Sequence, residues 1–103
     1  MELDRIFEAL ASAPRRRILA ALAQGAATTR ELAARFALSE PAVSRHLSVL
    51  ENAGLVVSRR EGQRVLYSLV RDTLMDALSG FAAGLSPAAL PLAEEIEVKR
   101  EAI

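Results

Sequence analysis

Between Ser39 and Arg64 the chain places hydrogen-bonding side chains at spacings suited to gripping a polar, anionic surface rather than to breaking bonds. Ser39, Glu40, Ser44, Arg45, His46 and Ser48 fall within one short stretch, and Arg59, Arg60, Gln63 and Arg64 follow in a second. A guanidinium presents a planar fork of donors that matches guanine O6 and N7 or a phosphate. Hydroxyls, an amide and an imidazole supply the shorter contacts to a sugar-phosphate backbone.

Other chemistries lack their residues. The sequence has no cysteine and a single histidine, so no thiolate or imidazole set at metal-ligand spacing exists and thiol redox chemistry is excluded. Asp72 and Asp76 stand four apart without accompanying histidines, and Asp72 reads as a helix cap, Asp76 as solvated. No Ser-His-Asp or Cys-His arrangement and no Gly-rich phosphate loop is present. The expectation is a non-enzyme with no cofactor and no metal.

The elements that must position these residues are legible locally. Thr28-Thr29-Arg30-Glu31 has the pattern of a capping box, and Leu32, Ala33 and Phe36 recur behind it at helical spacing. Ser39 then caps a second helix with Pro41 in its first turn, where a missing N–H is harmless. In that helix Val43, Leu47 and Leu50 form an apolar stripe at i, i+4 and i+7, which leaves Glu40, Ser44, Arg45 and Ser48 outside. Small residues beside Arg45 permit entry into a groove about 12 Å wide. Glu51-Asn52-Ala53-Gly54 ends the helix, and two strand-like runs, Leu55–Arg60 and Arg64–Leu69, flank Glu61-Gly62-Gln63 as a β-hairpin with a basic tip. A helix-turn-helix followed by an arginine-tipped hairpin is a winged helix. His46 on the second helix suits a hydrogen bond to a DNA backbone or to a neighbouring element.

The segments LASAPRRRILAAL, TTRELAARFALSEPAVSRHLSVLENAGLV and VSRREGQRVLYSL resemble the ArsR/SmtB family of bacterial repressors. The likeness covers nearly the whole chain up to Leu69. It implies a homodimer on double-stranded DNA with a pseudo-palindromic operator. It implies also that the first and last helices pack between protomers, with Leu3, Ile6, Phe7, Leu74, Leu78 and Phe81 as the candidate interface; packing of those helices within one chain is the alternative. Two positions depart from the family pattern. Glu40 stands where glutamine is common, and Ala37 stands where the inter-helix turn often has glycine, at a cost of about 1 kcal/mol if its backbone is left-handed.

The remaining chain frames this unit. Leu3, Ile6, Phe7, Leu10 and Ala11 make an amphipathic first helix, and Pro14 opens a second with Ile18, Leu19 and Leu22 inward and Gly25 at its end. For the consecutive Arg15, Arg16 and Arg17, salt bridges to Glu8 or to C-terminal acids are favoured over DNA contact. After the wing Asp72 caps a last helix carrying Leu74, Leu78 and Phe81 on one face. Ser86-Pro87 breaks it, and Pro91–Ile103 reads either as a short helix over the dimer or as a frayed end.

With 103 residues and 51% hydrophobic composition the chain is expected to form one winged helix-turn-helix domain over 1–85 and a C-terminal extension over 86–103. The fold class is mostly α with a β-hairpin wing: four helices, two strands, a fifth helix. Net charge is +0, yet up to Val70 ten arginines face seven acids, whereas beyond it three bases face six acids. That local excess predicts moderate non-specific DNA affinity. There is no apolar run of membrane-spanning length and Met1-Glu2-Leu3-Asp4 is no leader, so the expected location is cytoplasmic, without a membrane partner. The expected function is a homodimeric DNA-binding transcriptional regulator that is not metal-responsive. Its inducing signal is left open between an unidentified small molecule in the dimer groove, a partner protein, and protein concentration alone. The alternative is a winged helix used only for protein contacts.

Overall fold

The computed structural model describes residues 3–86. The order is α1 (Leu3–Leu10), α2 (Ala13–Leu22), α3 (Thr29–Phe36), α4 (Glu40–Asn52), β1 (Val56–Glu61), β2 (Arg64–Leu69) and α5 (Arg71–Leu85). This is the winged helix-turn-helix expected from the sequence. The Pro91–Ile103 segment lies outside the described residues.

Each junction has a local cause. Ser12 caps α2 by accepting from the Arg15 amide, with Pro14 in the first turn. Thr28 and Glu31 close the expected capping box reciprocally, at 3.1 Å from the Glu31 amide to the Thr28 hydroxyl and 2.8 Å from the Thr28 amide to the Glu31 carboxylate. That backbone N–H is the main reason the Glu31 carboxyl is held below its usual range, with Thr28's side chain and then Arg64 helping. α3 ends where Ala37 turns left-handed at φ 55° and ψ 43°, and α4 begins three residues later under the Ser39 cap. α4 ends in a Schellman motif: Gly54 has φ 77°, its amide reaches the Glu51 carbonyl at 2.9 Å, and the Leu55 amide reaches the Leu50 carbonyl at 2.9 Å.

β1 and β2 pair antiparallel from Val56↔Leu69 to Glu61↔Arg64, so the hairpin turn is the two residues Gly62-Gln63. A positive φ (64°) at Gly62 alone matches the type II′ pattern, which suits the twist of a tight hairpin. A third segment joins the sheet. Ala27, just before α3, exchanges two backbone hydrogen bonds with Tyr67 at 2.8 and 3.1 Å, which pins the start of the helix-turn-helix to the wing.

Ile6, Ile18, Leu32, Val43, Leu47, Leu50 and Leu55 are essentially fully buried and form one core across α1–α4 and the turn into β1. Each such side chain contributes roughly 1.5–3 kcal/mol by leaving water. Four expectations change here. Ile6 is wholly buried in its own chain's core, so it drops out of the candidate dimer face, because a residue enclosed by its own protomer has no surface to offer. Leu74 is half-buried against the same core. Asp72 does not cap α5: Val70 occupies the cap position without a side-chain bond, and Asp72 sits in the first turn, where its charge still favours the helix dipole. α2 also ends before Gly25, at Leu22.

The left-handed Ala37 yields a stability test. Replacing it with glycine relieves a strain of roughly 1–2 kcal/mol, less the greater entropy glycine loses on folding, roughly 0.5–1 kcal/mol. Ala37→Gly is therefore expected to raise unfolding free energy by about 0.5–1 kcal/mol in urea titrations. A loss of stability would show that this turn is not strained.

Candidate nucleic-acid interface

The polar face of α4 exists because the opposite face is consumed by the core. With Val43, Leu47 and Leu50 inward, Glu40, Ser44, Arg45 and Ser48 are exposed together. Ser39 contributes the cap: its Oγ accepts from the Ala42 amide at 3.2 Å, which leaves its own O–H to donate outward. Arg45 has no ion-pair or hydrogen-bond partner among the described residues, so its guanidinium is available.

His46 is placed differently from its neighbours. It is half-buried on the side of α4 that meets α2, with Nδ1 3.5 Å from Arg15 Nη1. A guanidinium has no acceptor, so this contact is satisfied only by a neutral imidazole carrying its proton on Nε2. Burial first, then Arg15 and Arg45, hold the His46 imidazole below its ordinary value of 6.5. Of the two roles expected for His46, the bond to a neighbouring element is the one this geometry contains, and Nε2–H remains a donor.

Among the described residues Arg15 and Arg16 form no salt bridge to Glu8, and the acids of the C-terminal segment lie outside those residues. Arg15 Nε donates to the Ala9 carbonyl at 2.8 Å and its Nη2 to the Glu8 carbonyl at 3.1 Å, and Arg16 Nη1 donates to the Leu10 carbonyl at 2.7 Å. α1 has no basic residue in its last turn. These two side chains from α2 satisfy its orphan carbonyls and place positive charge at the negative end of its dipole.

On the wing, Arg59 pairs with Glu61 at 3.1 Å and Arg64 approaches Glu31 at 3.6 Å, all four side chains being more than half exposed. Exposed pairs of this kind are weak and reorganise readily around a phosphate. Arg60 has no ion-pair partner among the described residues. The Arg64–Glu31 approach lies in a groove that Thr28, Thr29, Arg30, Gln63 and Val65 also line. It brings Arg30 beside the wing, a placement no local pattern announces. Ser58 Oγ donates to Glu51 at 3.3 Å, so the wing is fastened to the end of α4 as well.

Residues 13–58 match the family model described as bacterial regulatory protein, arsR family. The chain is 34% identical to the transcriptional repressor SdpR of Bacillus subtilis over 75% of its own length and 86% of that protein's. This chain belongs to the arsR family. It is 47% identical to the HTH-type transcriptional regulator Rv2034 of Mycobacterium tuberculosis over 64% of its length, a stretch that spans only 62% of Rv2034. Among solved structures, it superposes on the homodimeric winged helix-turn-helix DNA-binding domain of Mb0332 from Mycobacterium bovis with a TM-score of 0.66 at 32% identity, covering 79% of this chain and 77% of that one. Family membership makes this a transcriptional regulator built on a DNA-binding fold, not an enzyme.

The His46 environment has a pH signature. Because the folded state lowers the imidazole's proton affinity, the unfolded chain binds more protons below about 6.5, and stability falls as pH drops through that window. Melting curves between pH 7.5 and 5.5 should show a steeper fall for the wild type than for His46→Gln, with the two slopes equal above pH 7. Parallel slopes throughout would mean that burial and the neighbouring arginines do not lower the proton affinity of His46.

Proposed function

We propose that this regulator is a homodimeric repressor that reads a pseudo-palindromic operator with α4 and straddles the flanking backbone with its wings. One observation carries the reading. Arg45 stands without an internal partner on a helix face otherwise made of small polar residues, which is what close approach to base edges demands. Ser39, Glu40, Ser44, His46 and Ser48 supply contacts around it, and Arg59, Arg60, Gln63 and Arg64 supply the wing's. Glu40 fits cytosine N4, an acceptor facing a donor, and is repelled by phosphate.

Support for dimerisation comes from an apolar surface that the described residues leave uncovered. Phe7 and Phe81 stack edge to face with centroids 5.2 Å apart, yet remain 37% and 45% exposed. Leu3, Leu78 and Leu85 extend the exposed apolar surface of α1 and α5. A patch of this kind supports an interface, and a twofold dimer built on it is expected to read half-sites about one turn of DNA apart, ~34–36 Å, or a multiple of it. A winged helix used only for protein contacts would not require an unpaired arginine on α4. No helix among the described residues is long and apolar enough to cross a membrane, and a cytoplasmic location suits a DNA-binding protein.

Metal independence rests on the donor set. The sequence has no cysteine, and its one histidine already faces Arg15. Among the described residues no three Asp, Glu or His side chains converge.

Fluorescence anisotropy on operator and random DNA separates the roles. Arg45→Ala should cost about 1–3 kcal/mol on the operator and relax sequence choice. Arg60→Ala should weaken both DNAs alike and lower the salt slope by about one. Chelator, micromolar zinc and peroxide should leave the wild-type curves unchanged. Equal losses on both DNAs for Arg45→Ala would remove α4 from base readout.

Leu78→Asp places an unpaired carboxylate at the seam. Light scattering should report a folded monomer, with operator binding lost. A variant that remains dimeric would move the interface elsewhere.

A further inference from the structure

An open cavity of about 400 Å³ is walled by Leu10 of α1, Leu19 of α2, Leu69 of β2, and Leu74 and Met75 of α5. Its size is that of a small-molecule pocket. The walls are aliphatic, with a thioether that adapts its shape to an occupant. Two cations stand at its edge. Arg16 and Arg71 line the cavity, each tethered through one guanidinium nitrogen to a backbone carbonyl, Arg16 to Leu10 at 2.7 Å and Arg71 to Ala23 at 3.4 Å. Neither has a carboxylate partner among the described residues, whose ion pairs are Arg59–Glu61 and Arg64–Glu31. Each guanidinium has five N–H donors, so both keep donors to spare.

An apolar chamber bracketed by two unneutralised, pre-oriented arginines is complementary to an amphipathic anion. We propose that this cavity is an effector site for a carboxylate with an apolar body, the class that octanoate represents. The carboxylate accepts from Arg16 and Arg71, and the hydrocarbon displaces water from Leu19, Leu69, Leu74 and Met75. The position carries a regulatory consequence that rests on the DNA-binding reading above. The walls belong on one side to α5, which carries the apolar face assigned to the dimer, and on the other to α2, whose Arg15 touches His46 of α4. An occupant therefore favours one arrangement of the seam relative to the reading helix, and the two binding events are coupled.

The first arm of the test needs no DNA. Octanoate is titrated into the full-length dimer with methyl-labelled leucine and methionine observed by NMR, and octanol serves as the uncharged control. Saturable shifts should be confined to Leu10, Leu19, Leu69, Leu74 and Met75, and octanoate should bind at least about tenfold more tightly than octanol. The Arg16→Gln, Arg71→Gln double variant should abolish that difference. Ala20→Phe, which fills the cavity from an exposed position, should abolish binding without lowering the melting temperature. Equal affinity for acid and alcohol, shifts centred on Leu3 and Leu78, or no saturable shift would each overturn the site. In the second arm octanoate should change operator affinity by about fivefold or more in the wild type and not in Ala20→Phe. Unchanged affinity of a protein that does bind its operator would overturn the effector role. A protein that binds no DNA at all would instead strike the reading of α4, and the first arm would still decide the site.

Discussion

The complete burial of Val43, Leu47 and Leu50 is the constraint on which the rest of the molecule depends. A helix has one apolar stripe, and once three side chains of α4 are locked into the core its opposite face is committed outward in a fixed rotation. The close turn through Ala37 and the Schellman turn at Gly54 hold the two ends of that helix. A small domain of this size cannot add rigidity through bulk. It does so through backbone closures, and the Ala27–Tyr67 bridge and the Ser58–Glu51 bond serve the same end by fastening the wing to both helices of the reading unit.

The arginines divide by what already holds them. Arg15 and Arg16 neutralise the carbonyl end of α1 and are structural. Arg59 and Arg64 are held loosely by Glu61 and Glu31 in solvent, and Arg45 and Arg60 have no such partner among the described residues. This gradation lets a chain of zero net charge keep guanidinium groups with unspent donors on α4 and the wing. It also explains why total charge is a poor guide to partners: what matters is which guanidinium groups have their donors unspent.

α5 belongs to two surfaces at once. None of its residues is fully buried, its outer stripe continues the exposed face of α1, and Leu74 and Met75 turn toward the cavity against α2. A helix held this lightly by its own protomer is suited to be positioned by a partner or an occupant, because little intrachain packing opposes its movement.

Sequence alone determined most of what depends on neighbours within a few residues. The caps at Thr28 and Ser39, the α4 stripe, the glycine that ends α4, the basic hairpin and the order of elements were legible because helix and strand periods and capping rules are local. The family resemblance rested on the same segments. Contacts between residues far apart were decided only by the tertiary structure. Ile6 shares a helical stripe with Phe7, yet one lies inside the core and the other at the surface, and periodicity alone does not distinguish them. Arg15 and Arg16 read as salt-bridge partners, but the acceptors they meet among the described residues are carbonyl oxygens of α1. Asp72 looks like a cap, while the chain leaves β2 at an angle that puts Val70 there instead. The Arg15–His46 contact, the approach of Arg64 to Glu31 and the cavity between α2 and α5 each join segments separated by more than thirty residues. Such pairings follow from how helices stack, and no short-range pattern encodes them.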